Sequence, residues 1–198
     1  MSESEGPFID AEEAACRLLL RWPGEAVLDG IGDLPSLAGL IAGEDGIAAA
    51  GRWLAGREAA LFLDIDGPYD GRLAVDGALV DHDADIGAVR RHLGRDAIIG
   101  ARCGMSRHAA MVAGENGADY TLTGHADGSA AIDEMEEFLV WWRELFVLPV
   151  AATGFGGVDE AERLVAAGAD FLLPMPMATH DPVSARSLIL SLDRMLGG

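Results

Sequence analysis

Lysine is absent from this 198-residue chain, and its 14 basic residues are all arginine. This absence excludes any chemistry that depends on a lysine amine. The sequence also contains no apolar run long enough to cross a bilayer, and no basic and apolar start typical of a signal peptide. We therefore expect a cytoplasmic protein that has no membrane partner.

Cysteine and positive charge are both scarce. Cys16 and Cys103 lie far apart and have no metal-ligand spacing, so we expect two buried apolar residues rather than a disulfide. The formal net charge is −19 at pH 7. A surface of that charge repels a phosphate backbone, which argues against a nucleic acid partner.

Apolar residues are plentiful, since hydrophobic side chains make up 50% of the chain. The length suits one globular domain over residues 1–198, in which only residues 1–6 look flexible. From residue 59 onward, short apolar runs alternate with segments of helical periodicity. The runs predict strands over Ala59–Ile65, Gly77–Asp81, Ala97–Ala101, Ala118–Thr123, Val147–Ala152 and Ala169–Pro174. The intervening segments predict helices over Ile86–Leu93, Ser106–Asn116, Ala131–Leu145, Asp159–Ala167 and Pro182–Leu196.

Local signals support this alternation. Ser106, Asp159 and Asp181-Pro182 stand where helices are expected to begin. The segment AGENGADYTLTG has a partner in VAAGADFLLPMP, and in both a helix ends near a glycine before Gly-Ala-Asp leads into a strand. Strands that alternate with helices pair in parallel, and the pattern alone leaves a closed barrel and a doubly wound sheet equally open.

The first 58 residues are less regular. Residues Asp10–Trp22 predict an amphipathic helix, Ala26–Ile31 a short strand, and Leu34–Ala42 and Ile47–Leu54 two further helices. An eight-unit barrel needs another strand in this region, and the pattern offers no convincing one. We therefore expect the N-terminal part to be abbreviated or irregular.

Two segments resemble a known family. GRDAIIGARCGMSRHAAMVAGENGADYTLTGH and LPVAATGFGGVDEAERLVAAGADFLLPMPMA are similar, in order and spacing, to the central and C-terminal signatures of the thiamine-phosphate synthase and thiazole tautomerase family. The resemblance covers residues 59–198 and implies a TIM-type (β/α)8 barrel. It also implies a thiamine-biosynthesis protein that binds a thiazole phosphate at the C-terminal face.

A glycine loop is the predicted phosphate site. Thr153-Gly154-Phe155-Gly156-Gly157 joins a strand to a helix, where glycines let main-chain N–H groups approach an anion and the helix N-terminus favours negative charge. The second phosphate-binding loop of such a barrel is then the one that contains Met177 and Ala178. The alternative is that the glycines only form a tight turn. The loop is longer than its family counterpart, and prolines replace N–H donors in the second loop.

His125 is the predicted catalytic residue. It directly follows the strand DYTLTG, and imidazole can both accept and donate a proton near neutral pH. In the tautomerases that this chain resembles, a histidine at this position is the general acid or base. The alternative is a solvent-exposed loop histidine. Arg102 is the second catalytic candidate: the serine of the family's SxH turn is replaced in ARCGMS, where either Arg102 or Ser106 could substitute for it.

The resemblance further implies Mg²⁺, held by one Asp after each of two neighbouring strands. Asp66 and Asp83 are the corresponding candidates, although the family's own patterns are not reproduced and these residues could simply be solvated. The loop HADGSAAIDEM lacks the lysine and threonine that contact pyrophosphate in the synthases, which weakens a synthase activity.

Two functions therefore stay open. The first is a thiamine-pathway enzyme, either a tautomerase that uses His125 or a synthase that uses Mg²⁺. The second is a catalytically degenerate family member that binds a phosphometabolite or regulates. We also predict a homodimer with Trp141-Trp142 at its interface, and the alternative for this pair is ordinary packing of a helix on the barrel.

Overall fold

The computed structural model describes residues 15–67, 69, 71, 73–175 and 181–197. Eight parallel strands form a closed barrel, in which each strand pairs with the next and β8 pairs with β1. This is the TIM-type (β/α)8 fold that the resemblance implies. The strands are β1 Arg17–Arg21, β2 Leu37–Ala42, β3 Ala60–Asp64, β4 Gly77–Asp81, β5 Ile98–Gly104, β6 Tyr120–Thr123, β7 Val150–Thr153 and β8 Phe171–Leu173.

Helices cover the outside of the barrel. Within the described residues they are α1 Glu25–Leu28, α2 Glu44–Leu54, α3 Ile86–Leu93, α4 Arg107–Glu115, α5 Ile132–Leu145, α6 Val158–Ala167 and α7 Pro182–Met195. Two of the predicted caps are confirmed, because the Ser106 hydroxyl accepts from the Ala109 N–H and the Asp181 carboxylate caps α7. The third is wrong: α6 begins one residue before Asp159, which lies in its first turn.

The predictions for the N-terminal region are wrong in three elements. Part of the helix predicted over Asp10–Trp22 is strand β1. The strand predicted over Ala26–Ile31 overlaps the short helix α1, and the helix predicted over Leu34–Ala42 contains strand β2. All six residues of β2 are buried. A strand buried on both faces has no alternation of apolar and polar residues, so its sequence does not distinguish it from a buried helix.

Two apolar clusters hold the fold together. The smaller fills the barrel interior, where the Tyr120 ring contacts Phe62 edge-on, with ring centroids 6.2 Å apart. The larger lies between the barrel and the helices and includes Cys103. Cys103 is buried, Cys16 is half-buried, and both thiols are free. No helix in the described part of the chain is both long enough and apolar enough to cross a membrane.

The Trp141-Trp142 pair packs within the subunit. The Trp142 side chain is 1% exposed, stacks on Phe146 at a centroid distance of 4.2 Å, and donates its ring N–H to the Leu148 carbonyl at 2.8 Å. Trp141 is half-buried beneath the Arg107 guanidinium. Trp142 is therefore part of the core and is not available to a partner subunit.

Candidate active site at the carboxyl-terminal mouth of the barrel

The carboxyl ends of three alternate strands bring charged side chains into one layer. These side chains are Arg21 in β1, Asp64 in β3 and Arg102 in β5. The residue two positions before each of them is apolar or glycine and lies on the interior side of its strand. Because side chains alternate between the two faces of a strand, the three charged side chains also face the barrel axis. The Asp64 carboxylate forms ion pairs with both arginines, one through each oxygen. Charged residues therefore close the interior layer at this end of the barrel.

Arg102 is the centre of a larger cluster. Its guanidinium also pairs with Asp66 at 2.8 Å and, through Nε, with Asp81 at 2.9 Å. Burial alone lowers the pKa of Arg102, but the hydrogen bond to Asp81 and the charges of the three carboxylates raise it above the ordinary arginine value. Arg102 is therefore always positively charged, and its ion-pair partners are side chains of the protein itself rather than a ligand.

The two predicted metal ligands do not form a metal site. Asp66 is paired with Arg102, while Asp83 lies exposed in the turn after β4. Across the described ranges, no group of three or more His, Cys, Asp or Glu side chains is arranged to hold a metal ion. The residues present do not fit Mg²⁺, because the carboxylates at the ends of β3 and β4 already surround a guanidinium.

His125 lies where the loops after β5, β6 and β7 meet. A Cβ built on Gly104 at the end of β5 would lie 2.9 Å from Cε1 of the His125 ring, so the imidazole covers this glycine. A Cβ on Gly154, after β7, would lie only 2.3 Å from the His125 carbonyl oxygen, and Gly154 has a φ of +94°. Both positions therefore require glycine, which keeps the exposed imidazole at the mouth.

The predicted phosphate loop borders an open cavity of about 640 Å³. Gly154, Gly156 and Gly157 all line it, together with the first turn of α6 and the loop after β6. Phe155, the additional residue of this loop, is fully buried in the outer core and so anchors the loop to the barrel. The two other predicted phosphate contacts, Met177 and Ala178, lie outside the described residues.

The cavity wall carries negative charge. Asp127, Asp159 and Glu160 line it, and none of its described lining residues is basic. The Glu160 carboxylate accepts the Gly156 N–H at 2.8 Å. Hydrogen bonding to Ser129 lowers the pKa of Asp127. An anion at the N-terminus of α6 therefore has to displace Glu160 from one main-chain donor.

Sequence reasoning missed Arg21 and Glu160. Arg21 was hidden because its segment was predicted to be helical, and the three leucines before it do not distinguish a short buried strand from a helix. Glu160 is the third residue after the Gly157 N-cap, the position from which a glutamate can fold back onto main-chain N–H groups.

A family model and the related sequences point to the same family. The family model described as thiamine monophosphate synthase matches residues 53–175. A thiamine-phosphate synthase of Rhodospirillum centenum is 36% identical over 149 residues, which cover 72% of this chain and 71% of that protein. A thiamine-phosphate synthase of Erythrobacter litoralis is 43% identical over 108 residues, which cover 51% of each chain.

A solved structure supports the fold. The thiamine phosphate pyrophosphorylase from Pyrococcus furiosus superposes with a TM-score of 0.64, covering 93% of this chain and 98% of its own. Its sequence identity to this chain is 16%, so the likeness concerns the barrel alone.

Proposed function

Because the chain belongs to the thiamine monophosphate synthase family, we propose that it acts in thiamine biosynthesis and binds a thiazole phosphate at the mouth of the barrel. The observation that carries the proposal is the position of His125 in the loop after β6. Its ring lies against Gly104 at the end of β5, and its main chain lies against Gly154 after β7, which lines the cavity. A phosphate group would lie at the N-terminus of α6, near Gly156 and Gly157, where the helix macrodipole favours negative charge.

The reaction that this arrangement suits best is a tautomerisation. Such a reaction removes a proton from one atom of the substrate and returns a proton to another, so composition is unchanged and one group that accepts and donates is sufficient. The exposed His125 imidazole can fill this role. The buried hydroxyl of Thr153, at the end of β7, has no hydrogen-bond partner among the described residues, and a ligand atom could supply one.

A synthase activity has less support. Joining a thiazole phosphate to a pyrimidine pyrophosphate expels pyrophosphate, whose developing charge needs cationic or N–H donors. The chain has no lysine, and Arg102 is paired with three carboxylates of its own. We therefore expect isomerisation to be much faster than condensation.

The second candidate is a protein that binds a phosphometabolite without turning it over. The contact that favours it is the hydrogen bond from the Gly156 N–H to Glu160, since this carboxylate takes a donor that a phosphate would use. In this case a ligand stabilises the fold, and His125 contributes nothing to a reaction.

A thermal-shift titration with thiazole phosphate tests binding. We expect the wild-type melting temperature to rise, since a ligand at 100 times its Kd stabilises the native state by about 2.7 kcal/mol. Glu160→Gln should bind more tightly because it removes a competing charge from the loop. Glu162→Gln removes the same charge from the same helix but outside the cavity wall, and its affinity should equal that of wild type.

Salt concentration separates this electrostatic explanation from a general effect of mutation. Added salt screens repulsion between the acidic wall and the phosphate, so wild-type affinity should rise with salt and Glu160→Gln should show a smaller rise. The absence of any shift up to millimolar ligand, in both proteins, would reject a thiazole phosphate site.

Proton NMR of the thiazole phosphate tautomers tests turnover. His125→Ala should retain ligand-induced stabilisation and lose isomerisation by a factor of about 10² or more. His108→Ala, which removes an exposed histidine from α4, is the matched control and should react like wild type. Equal rates in wild type and His125→Ala would exclude His125 as the proton carrier and favour the binding protein.

The homodimer stays a prediction, now without Trp142 at its interface. Leu145 and Val147, at the end of α5, expose 60% and 92% of their surface beside the aromatic cluster. Light scattering at high protein concentration is the test, and a mass of 20.7 kDa would reject the dimer.

A further inference from the structure

The guanidinium of Arg102 has no free hydrogen-bond donor. An arginine carries five N–H groups, and Arg102 makes five hydrogen bonds. The acceptors come from the ends of β3 and β4: the carboxylates of Asp64, Asp66 and Asp81 and the carbonyl oxygens of Ile65 and Leu79. Arg102 therefore cannot bind a substrate phosphate unless it first breaks one of these bonds.

The acceptor set is unusual for an arginine. Carboxylate and main-chain carbonyl oxygens that converge from two neighbouring strand ends are the ligands that hard divalent cations prefer. Around Arg102 each of these groups accepts one guanidinium N–H instead. The charges are consistent with a guanidinium in place of a metal ion, since Arg102 and Arg21 together place two positive charges among the three carboxylates.

We propose that the Arg102 guanidinium occupies the position between the ends of β3 and β4 at which these oxygens would otherwise bind a divalent metal ion. The wild-type protein consequently binds no divalent ion there. Arg102 is a positioning residue that fixes the strand ends rather than a catalytic one. This inference concerns the cation alone, so it does not depend on the identity of the substrate or on the proposed function.

The wild-type protein supplies the first test. Mn²⁺ binding is measured by electron paramagnetic resonance of the free ion, with Mg²⁺ as competitor. We expect only weak binding that does not saturate, as on any strongly acidic surface. A stoichiometric Mn²⁺ site in wild type that is lost in Asp66→Asn would overturn the proposal. This measurement requires no variant of Arg102.

Removal of the guanidinium supplies the second test. Arg102→Met retains side-chain length and frees Asp66, Asp81 and one oxygen of Asp64, whose other oxygen stays paired with Arg21. Asp66 and Asp81 are exposed, so their side chains can reorient toward an ion. We expect one Mn²⁺ per chain, bound at least tenfold more tightly than by wild type, and a melting temperature that rises on addition of Mg²⁺. Arg102→Lys retains the positive charge and should not gain the ion.

Arg163→Met is the matched control. Arg163 also pairs with two carboxylates, Asp133 and Glu136, but on the outer surface between α5 and α6. Its removal changes the net charge equally and should leave Mn²⁺ binding at the wild-type level. A gain in both methionine variants would indicate charge alone, and a gain in neither would show that the mouth is no cation site; both outcomes contradict the proposal. If Arg102→Met fails to fold, Arg102→Gln replaces it.

Discussion

A buried hydrogen-bonded pair joins the last helix to the first strands. One oxygen of Asp193, in the last turn of α7, accepts the Ser36 N–H at 3.0 Å and the Ser36 hydroxyl at 2.6 Å. Asp193 is 7% exposed and Ser36 is 6% exposed, so water cannot replace either partner easily. Asp193→Ala should therefore leave both donors of Ser36 without an acceptor.

The expected loss follows from those two bonds. A hydrogen bond to a charged group contributes about 1.5–3 kcal/mol, so Asp193→Ala should lower the free energy of unfolding by roughly 3–6 kcal/mol. Such a loss is a large share of the 5–15 kcal/mol, roughly, that stabilises an ordinary domain. Asp193→Asn retains one carbonyl oxygen as acceptor, and it also removes a negative charge from a helix C-terminus, so it should cost only about 1 kcal/mol.

Urea denaturation of the single and double variants provides the measurement. Ser36→Ala and Asp193→Ala should be coupled by at least about 1 kcal/mol in a double-mutant cycle, because they share one bond. Arg194→Ala, an exposed neighbour on α7, should change stability by less than about 0.5 kcal/mol. Additive effects of the two substitutions would refute the claim that this pair holds α7 against the start of β2.

Three further outcomes are expected. Gly154→Ala should cost at least about 2 kcal/mol, because φ is +94° and the new Cβ would meet a main-chain oxygen, whereas Gly157→Ala has open space and should be tolerated; urea denaturation distinguishes them. Ser106→Ala removes the cap of α4 and should cost about 1 kcal/mol in the same assay. Burial raises the pKa of Cys16 and of Cys103 to about 12, so at pH 8 both thiols should react with DTNB about a thousandfold more slowly in the native protein than in urea. Rapid labelling of the native protein would contradict this burial.

The second half of the barrel could be predicted because its signals are local. Gly168 ends α6 in the left-handed conformation, and Gly-Ala-Asp then leads into β8 as the repeated pattern predicts. Strand β1 could not be predicted in this way. Its leucines are buried from both sides by elements distant in sequence, so the run carries no alternation that would indicate a strand.

The site residues that could be predicted are those that come just after a strand in the sequence. His125 and Gly154 follow strands directly, and the carboxyl ends of parallel strands meet at one end of a barrel. The pairing of Arg21 with Asp64 depends on the curvature of the sheet, which brings side chains of the alternate strands β1 and β3 together in the barrel interior. The role of Arg102 likewise depended on its acceptors, and these lie on two other strands.

The two sides of the mouth differ in what they offer a ligand. On the side formed by β3, β4 and β5, the charges around Arg102 are already paired, and separating them leaves a partly buried ion without its partner. On the side formed by β6, β7 and β8, the cavity is open, and the group that a ligand has to displace is the Glu160 carboxylate. Displacing it costs less free energy than separating the ion pairs of Arg102, because water can solvate the released carboxylate. A phosphorylated ligand is therefore expected on the second side. His125 lies where the two sides meet, and unlike Arg102 it forms no ion pair with another described residue, so it can approach such a ligand without separating a pair of charges.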